Sequence, residues 1–327
     1  MSKHTRQPRK GRKKYILRKL ILLAEVAAIS LFFIGGTDAG QFVYIRSEVL
    51  AKEESEAPAP SPKEKEVQEQ QEEPAVFRWE DHKVIAHALG GVDGQAYLNS
   101  RESFIENYEK GYRLFEVDLA KTSDGVWVCR HSWNDPMGQW EGEEKQVLSS
   151  EEFLSSPLYG KYTPMTFKDI LTLLKKYPDA FVLLDSKQYS VRNYQRTLED
   201  YSEYVEIAGD ADAEEVLSRL IPEIYNEAMY PGVAVMQRFP TYIYSLWQEY
   251  TDKELEDIAE FCREKGIPAA TVYEEYWSPK IQQIFDERGI LLYIYTVNDI
   301  EKAKTYMDGG AAGICTDTIT EEQLSEE

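Results

Sequence analysis

Apolar residues along this chain fall into short runs separated by longer helical patterns. Runs with strand character cover 84–88, 114–120, 126–131, 181–186, 233–237, 242–247, 269–273, 291–297 and 313–316. Between many of them the apolar period lengthens to that of a helix, as in Thr166 to Lys176, Asp252 to Lys265, Pro279 to Arg288 and Ile300 to Met307. Repeated strand–helix alternation predicts an α/β fold closed as a TIM-like (β/α)8 barrel. Nine strand candidates compete for eight staves. The excess is explained if 126–131 extends the tip of the second strand as a hairpin arm. The stretch 188–230 is long for a strand–helix–strand link and reads as a helical insertion on the barrel wall. Tyr189, Tyr194, Tyr201, Tyr204 and Tyr225 recur there among many acids, and a substrate-covering lid is the alternative.

The pattern before the barrel is different. Residues 1–19 hold nine Lys or Arg and no acid, and read as a basic cytoplasmic tail. Residues 20–45 contain a mostly apolar run from Leu20 to Gly36, broken by Glu25 and Ser30, which reads as a transmembrane signal-anchor helix and its flank. A cleaved signal peptide ending near Thr37-Asp-Ala39 and a basic surface helix are the alternatives. Residues 46–77 are rich in Glu, Pro, Gln and Lys and read as a disordered linker. Residues 78–327 are the expected catalytic domain, held at the outer face of the cell membrane by a single pass.

Charge narrows the class of partner. The chain carries −21, and because residues 1–19 contribute +9, residue 20 onward carries −30. So acidic a body disfavours nucleic acid. An anionic substrate remains compatible, because a bound divalent cation reverses the local field. The three cysteines, Cys129, Cys262 and Cys315, are widely spaced and odd in number, which argues against a disulfide framework or a zinc site.

Candidate chemistry concentrates at strand ends. Glu116 and Asp118 are two apart on a strand and share a face. Asp124-Gly125 signals a two-residue hairpin turn. With Ser123 opposite Val126, Asp118 falls opposite His131, so one hairpin gathers Glu116, Asp118 and His131. An edge hairpin with solvated carboxylates is the bland alternative. His87, Asp185 and Lys187 also fall at C-terminal strand ends, where barrel chemistry belongs.

In order and spacing these segments resemble the glycerophosphodiester phosphodiesterase family. The resemblance rests on Val84-Ile-Ala-His87, Asn99-Ser-Arg-Glu102, Glu116-Val-Asp118, Thr122-Ser-Asp124-Gly125, His131, Asp185-Ser-Lys187, Thr296-Val-Asn298 and Thr316-Asp317, and spans about residues 83 to 319. It too implies a TIM-like barrel. Glu116, Asp118 and Asp185 then suit a hard divalent cation, Mg²⁺ or Ca²⁺, although Asp185 is a methylene shorter than the family's usual Glu and could instead simply pair with Lys187. His87 and His131, two of four histidines, are the candidate proton acceptor and donor. Lys187 would stabilise phosphoryl charge. Glu102 would orient His87 or a ligand, or else complement its own helix N-terminus. The clearest departure is Ala88, where the family usually has Arg; Arg101, Arg238 and, least readily, Arg130 are candidate substitutes.

The expected activity is metal-dependent hydrolysis of a small or lipid-derived glycerophosphodiester to an alcohol and a phosphomonoester. A phospholipase C- or D-like enzyme acting on whole lipids would need an apolar approach surface, for which Trp133, Trp140, Tyr242, Tyr244, Trp247 and Trp277 are candidates. A catalytically inactive scaffold is the third reading, motivated by Ala88.

Overall fold

The computed structural model describes residues 76–142, 144–187, 193–209 and 213–326. The basic tail, the 20–45 segment and nearly all of the 46–77 linker therefore lie outside the described residues. Among the described residues no helix is long and apolar enough to cross a membrane.

The strands are β1 (Val84–Ala86), β2 (Leu114–Lys121), β3 (Trp127–Cys129), β4 (Phe181–Ser186), β5 (Leu220–Ile224), β6 (Ile243–Leu246), β7 (Ala269–Tyr273), β8 (Leu291–Tyr295) and β9 (Gly313–Thr316). All but β3 pair in parallel, and β1 pairs with both β2 and β9, which closes an eight-stranded barrel. β3 is antiparallel to the tip of β2, as the excess candidate required. It occupies the edge of β2 that β1 leaves open beyond Phe115.

The helices are α1 (Arg101–Glu109), α2 (Ser150–Ser155), α3 (Phe167–Lys176), α4 (Tyr194–Ala208), α5 (Ala213–Leu217), α6 (Tyr230–Ala234), α7 (Asp252–Lys265), α8 (Pro279–Asp286), α9 (Ile300–Asp308) and α10 (Glu321–Ser325). Thr166 and Thr251 start α3 and α7 with capping boxes, each exchanging bonds with the acid three residues on. Phe115, Val117 and Leu119 on β2, and Val182 and Leu184 on β4, point outward into the layer shared with the helices. Each such fully buried side chain contributes about 1.5–3 kcal/mol relative to exposure.

The alternate positions face the barrel interior. Ile85, Leu114, Leu183, Ile221 and Cys315 form an apolar layer there with Trp79 and Tyr293. Two residues further along each strand the same face carries His87, Glu116, Asp185, Glu223 and Asp317. The period of two thus stacks a polar layer on an apolar plug, at the ends where the strands finish. The Tyr293 hydroxyl seals the opposite end by donating to Trp79 O at 3.0 Å and His82 O at 2.8 Å.

Three expectations need correction. The run 233–237 is not a strand, since α6 ends within it at Ala234; a short apolar run does not distinguish the two structures. The missing stave is β5, inside the 188–230 stretch read as helical. Pro222 sits in β5 and has no N–H to donate, so the sequence argues against a strand there. The hairpin register is one residue from that expected. Leu119 pairs with Cys129, and Arg130 N donates to Asp118 O at 2.9 Å, so Asp118 faces Arg130 rather than His131. The loop has three residues, with Thr122 N donating to Val126 O at 3.0 Å and Gly125 at φ +86 in the left-handed region.

Candidate active site

A cavity of about 240 Å³ opens at the C-terminal ends of the strands. It collects six of the seven expected residues: His87, Glu116, Asp118, His131, Asp185 and Lys187. His131 reaches it despite the register, because β3 stops at Cys129 and the chain is no longer bound to strand alternation. Glu102 is not brought there. Its carboxylate accepts from Thr163 N at 2.8 Å and Thr163 Oγ1 at 2.7 Å, tying α1 to the loop before α3.

The segment between β1 and α1 holds Glu116 and Asp118 in place. Ala88 N donates to Glu116 Oε2 at 2.7 Å. Ala88 and Leu89 adopt φ +47 and +69, so the chain after β1 turns sharply across the barrel mouth. Asn107 of α1 fixes that turn, donating to Leu89 O at 3.2 Å and Gly91 O at 3.3 Å. A side chain at Gly90 would strike the Asn107 amide, its Cβ lying 2.4 Å from Nδ2. Asn99 grips Asp118 reciprocally: its amide donates to Asp118 Oδ2 at 2.7 Å, and Asp118 N donates to Asn99 Oδ1 at 3.0 Å.

The three carboxylates Glu116, Asp118 and Asp185 each offer an oxygen, all within 4.8 Å of one another. Lys187 Nζ lies 2.8 Å from Asp118 Oδ1 and also contacts Asp185 Oδ2. Glu116 Oε1 and Asp185 Oδ1 are buried with no hydrogen-bond partner. Buried carboxylate oxygens without donors are costly, and a hard cation is the group that would satisfy them. Burial, then the Asp118 charge, push Glu116 well above the usual carboxylate range. Burial acts on Asp118 in the same direction, but Lys187, His131 and His87 outweigh it and hold that pKa low. The donor set therefore fits a divalent cation, and Asp185 both pairs with Lys187 and keeps an oxygen for a metal.

The histidines differ. His87 Nδ1 lies 2.9 Å from Asp317 Oδ1. Asp317 is itself fixed by Asn298, whose amide donates to Oδ2 at 2.6 Å and whose Oδ1 accepts from Asp317 N at 2.8 Å. Burial lowers the pKa of His131, and Asp118 partly restores it. The Tyr97 ring meets both edge-on, 4.6 Å from His87 and 5.0 Å from His131 between centroids.

None of the candidate arginines replaces the one absent at Ala88. Arg130 is buried against Trp133, with Nε donating to Ser132 O at 2.7 Å and Nη1 to Gln139 Oε1 at 2.7 Å. Arg101 pairs with Asp169 at 3.3 Å and Arg238 with Glu214. Of the six aromatics considered as an approach surface, Trp247 lines the cavity; Trp133 and Tyr244 pack in the core.

Sequence reasoning missed Asn99, Tyr97, Glu223 and the role of Asp317. Asn99, Asn298 and Asp317 stood in motifs already singled out, so only their roles were unread. Tyr97 carried no signal. Glu223 was lost with β5. Burial and the Asp185 charge push its pKa up to about 8, against Lys187 and a Ser245 hydrogen bond.

A family model described as the glycerophosphoryl diester phosphodiesterase family matches residues 91–321. No curated protein matches the chain. Among solved structures, a glycerophosphodiester phosphodiesterase from Parabacteroides distasonis ATCC 8503 superposes with a TM-score of 0.58 at 20% identity, covering 74% of this chain and 94% of that one. The enzyme from Thermotoga maritima gives 0.53 at 19% identity, over 72% and 94%. A phosphodiesterase from Oleispira antarctica, solved with the product sn-glycerol-3-phosphate, gives 0.55 at 16% identity, over 72% and 92%. At these identities the likeness shows a shared barrel.

Proposed function

This chain belongs to the glycerophosphoryl diester phosphodiesterase family, hydrolases of phosphoric diesters, and from that premise we propose that its cavity cleaves small glycerophosphodiesters with the help of a divalent cation. The observation that carries the reading is the meeting on one cavity of two histidines, a lysine and three carboxylates, two of which, Glu116 and Asp185, keep an unpartnered buried oxygen. The product bound to the Oleispira antarctica protein supports a substrate of this size.

Glu116, Asp118 and Asp185 would hold the cation. What it supplies when bound is neutralisation of charge on the phosphoryl oxygens. Lys187 adds a second positive group there. His87 accepts the proton of the attacking hydroxyl, which belongs to water or to the substrate's own neighbouring alcohol. With Nδ1–H donated to Asp317, its Nε2 is left as the acceptor. As the new P–O bond forms, the bond to the leaving alcohol breaks, and His131 protonates that oxygen. Attack by the neighbouring hydroxyl gives a cyclic phosphate, favoured by proximity. Water then opens it with the proton roles reversed. The products are one alcohol and one phosphomonoester.

The nine-to-zero charge bias of residues 1–19 supports a single-pass anchor with the barrel outside the cell membrane. The activity is tested by incubating the full chain with glycerophosphodiesters and Mg²⁺ or Ca²⁺. Matched release of alcohol and phosphomonoester is expected. Inertness toward every diester, with cation bound, would favour the scaffold reading.

A further inference from the structure

Tyr97 lines the cavity beside both histidines, yet the chemistry above gives it no task. Its ring meets His87 and His131 edge-on, and among the described residues no other ring touches both. The side chain is 43% exposed, and its hydroxyl has no hydrogen-bond partner among the described residues. Burial, then the charges on Asp317, Asp118 and Glu116, push its pKa up to about 12 against Lys187. The phenol therefore keeps its proton, and remains a donor, wherever histidines titrate.

The backbone holds this ring in place at some cost. Tyr97 has φ +59 and Asn99 φ +49, a region that bulky side chains rarely enter. Glycine would take the Tyr97 conformation without strain, but the loop carries an aromatic residue there. What holds it is on either side of the strained peptide. Leu98 is 1% exposed and packs with Trp133 and Phe153. Asn99 N donates to Ala88 O at 3.2 Å, and the Asn99 amide grips Asp118. Strain maintained in this way beside a reactive site points to a function for the side chain it positions.

The division of proton transfers says what that function is. The entering and leaving oxygens of the phosphoryl group lie roughly in line, one toward each imidazole. The two non-bridging oxygens project sideways from that line. A group in contact with both imidazoles flanks the line and faces one of them. Among the described residues no arginine lines the cavity, and Lys187 is tied to Asp118 and Asp185. A neutral O–H adds a hydrogen bond to the phosphoryl group without the cost of burying a second cation. We infer that the Tyr97 hydroxyl donates a hydrogen bond to a non-bridging oxygen of the diester, holding the phosphoryl group between His87 and His131. This rests on the phosphodiesterase reading for its place in the reaction.

The test pairs binding with kinetics on the full chain in Mg²⁺, wild type against Tyr97→Phe, which keeps the ring and removes only the hydroxyl. In a calorimetric titration with sn-glycerol-3-phosphate the variant should bind about tenfold more weakly, the fold-change for one hydrogen bond to a charged oxygen. On a glycerophosphodiester its kcat/KM should fall by at least about tenfold, with the thermal midpoint unchanged. Two phosphorothioate diastereomers of the same diester locate the bond. Sulfur is a weak acceptor, so the Tyr97→Phe penalty should shrink to about twofold or less on one diastereomer and persist on the other. Wild-type binding and turnover in Tyr97→Phe, or an equal penalty on both diastereomers, overturns the contact. Weakened phosphate binding by Tyr97→Phe in a chain that hydrolyses no diester supports the contact and refutes the activity; hydrolysis untouched by Tyr97→Phe does the reverse.

Discussion

His87 Nδ1 and Asp317 Oδ1 lie 2.9 Å apart although 230 residues separate them in the chain. β1 and β9 are neighbours in the barrel, with Ala86 opposite Thr316, so the residue after each strand projects to the same rim. If the carboxylate orients the imidazole for proton transfer, Asp317→Asn should lower kcat by about 10²-fold or more and leave KM within a few-fold. Asn298→Ala, which loosens Asp317, should cost less. The check is steady-state kinetics of both variants; a loss confined to KM would make the pair a binding element.

Removal of metal should abolish turnover. Glu116→Ala and Asp185→Ala should each weaken cation binding by more than about tenfold in calorimetry, because each removes an oxygen that is buried and unpartnered in the native site. Full activity after exhaustive chelation, with metal removal verified, would eliminate the cation from the mechanism.

Asp200 sets a pH dependence remote from the cavity. Burial raises its pKa to about 6, against Arg196 and Lys121. A carboxyl whose folded pKa lies above its unfolded value stabilises the fold fully below about pH 4, and that stabilisation is lost as pH rises through about 6. Asp200→Asn should flatten this slope and stabilise the protein at pH 7 by about 1–2 kcal/mol. Lys121 keeps Glu203 at 2.7 Å, so the variant does not strand it. Urea unfolding at pH 4 and pH 7 measures the effect; an unchanged pH slope would contradict it.

The proposed anchor predicts which side of the membrane the barrel occupies. Protease added to intact cells should remove the domain that begins near residue 78, while residues 1–19 stay protected. A domain that survives until lysis would contradict this placement.

The barrel was legible wherever alternation was clean. Leu114, Glu116 and Asp118 on one face and Phe115, Val117 and Leu119 on the other fix β2 and its two carboxylates together. β5 was hidden by Pro222, and Glu223 vanished with it. The hairpin slipped by one because Asp124-Gly125 serves a two-residue or a three-residue loop, and the Thr122–Val126 bonds select the longer. At the start of α1 a carboxylate was the obvious polar partner, yet the residue holding Asp118 is Asn99. An amide both donates and accepts, which a carboxylate cannot, and the site needs both from one side chain.

The central claim is that His87 and His131 divide the two proton transfers of diester cleavage. It is tested most directly by the leaving-group dependence of two variants. On a glycerophosphodiester, His87→Ala and His131→Ala should each lower kcat by about 10²–10⁴-fold with cation binding intact. On a p-nitrophenyl diester, whose leaving group needs little protonation, His131→Ala should regain most of its turnover and His87→Ala should not. Rescue of His87→Ala alone would reverse the two roles, and near-wild-type turnover in both variants on both substrates would contradict the account.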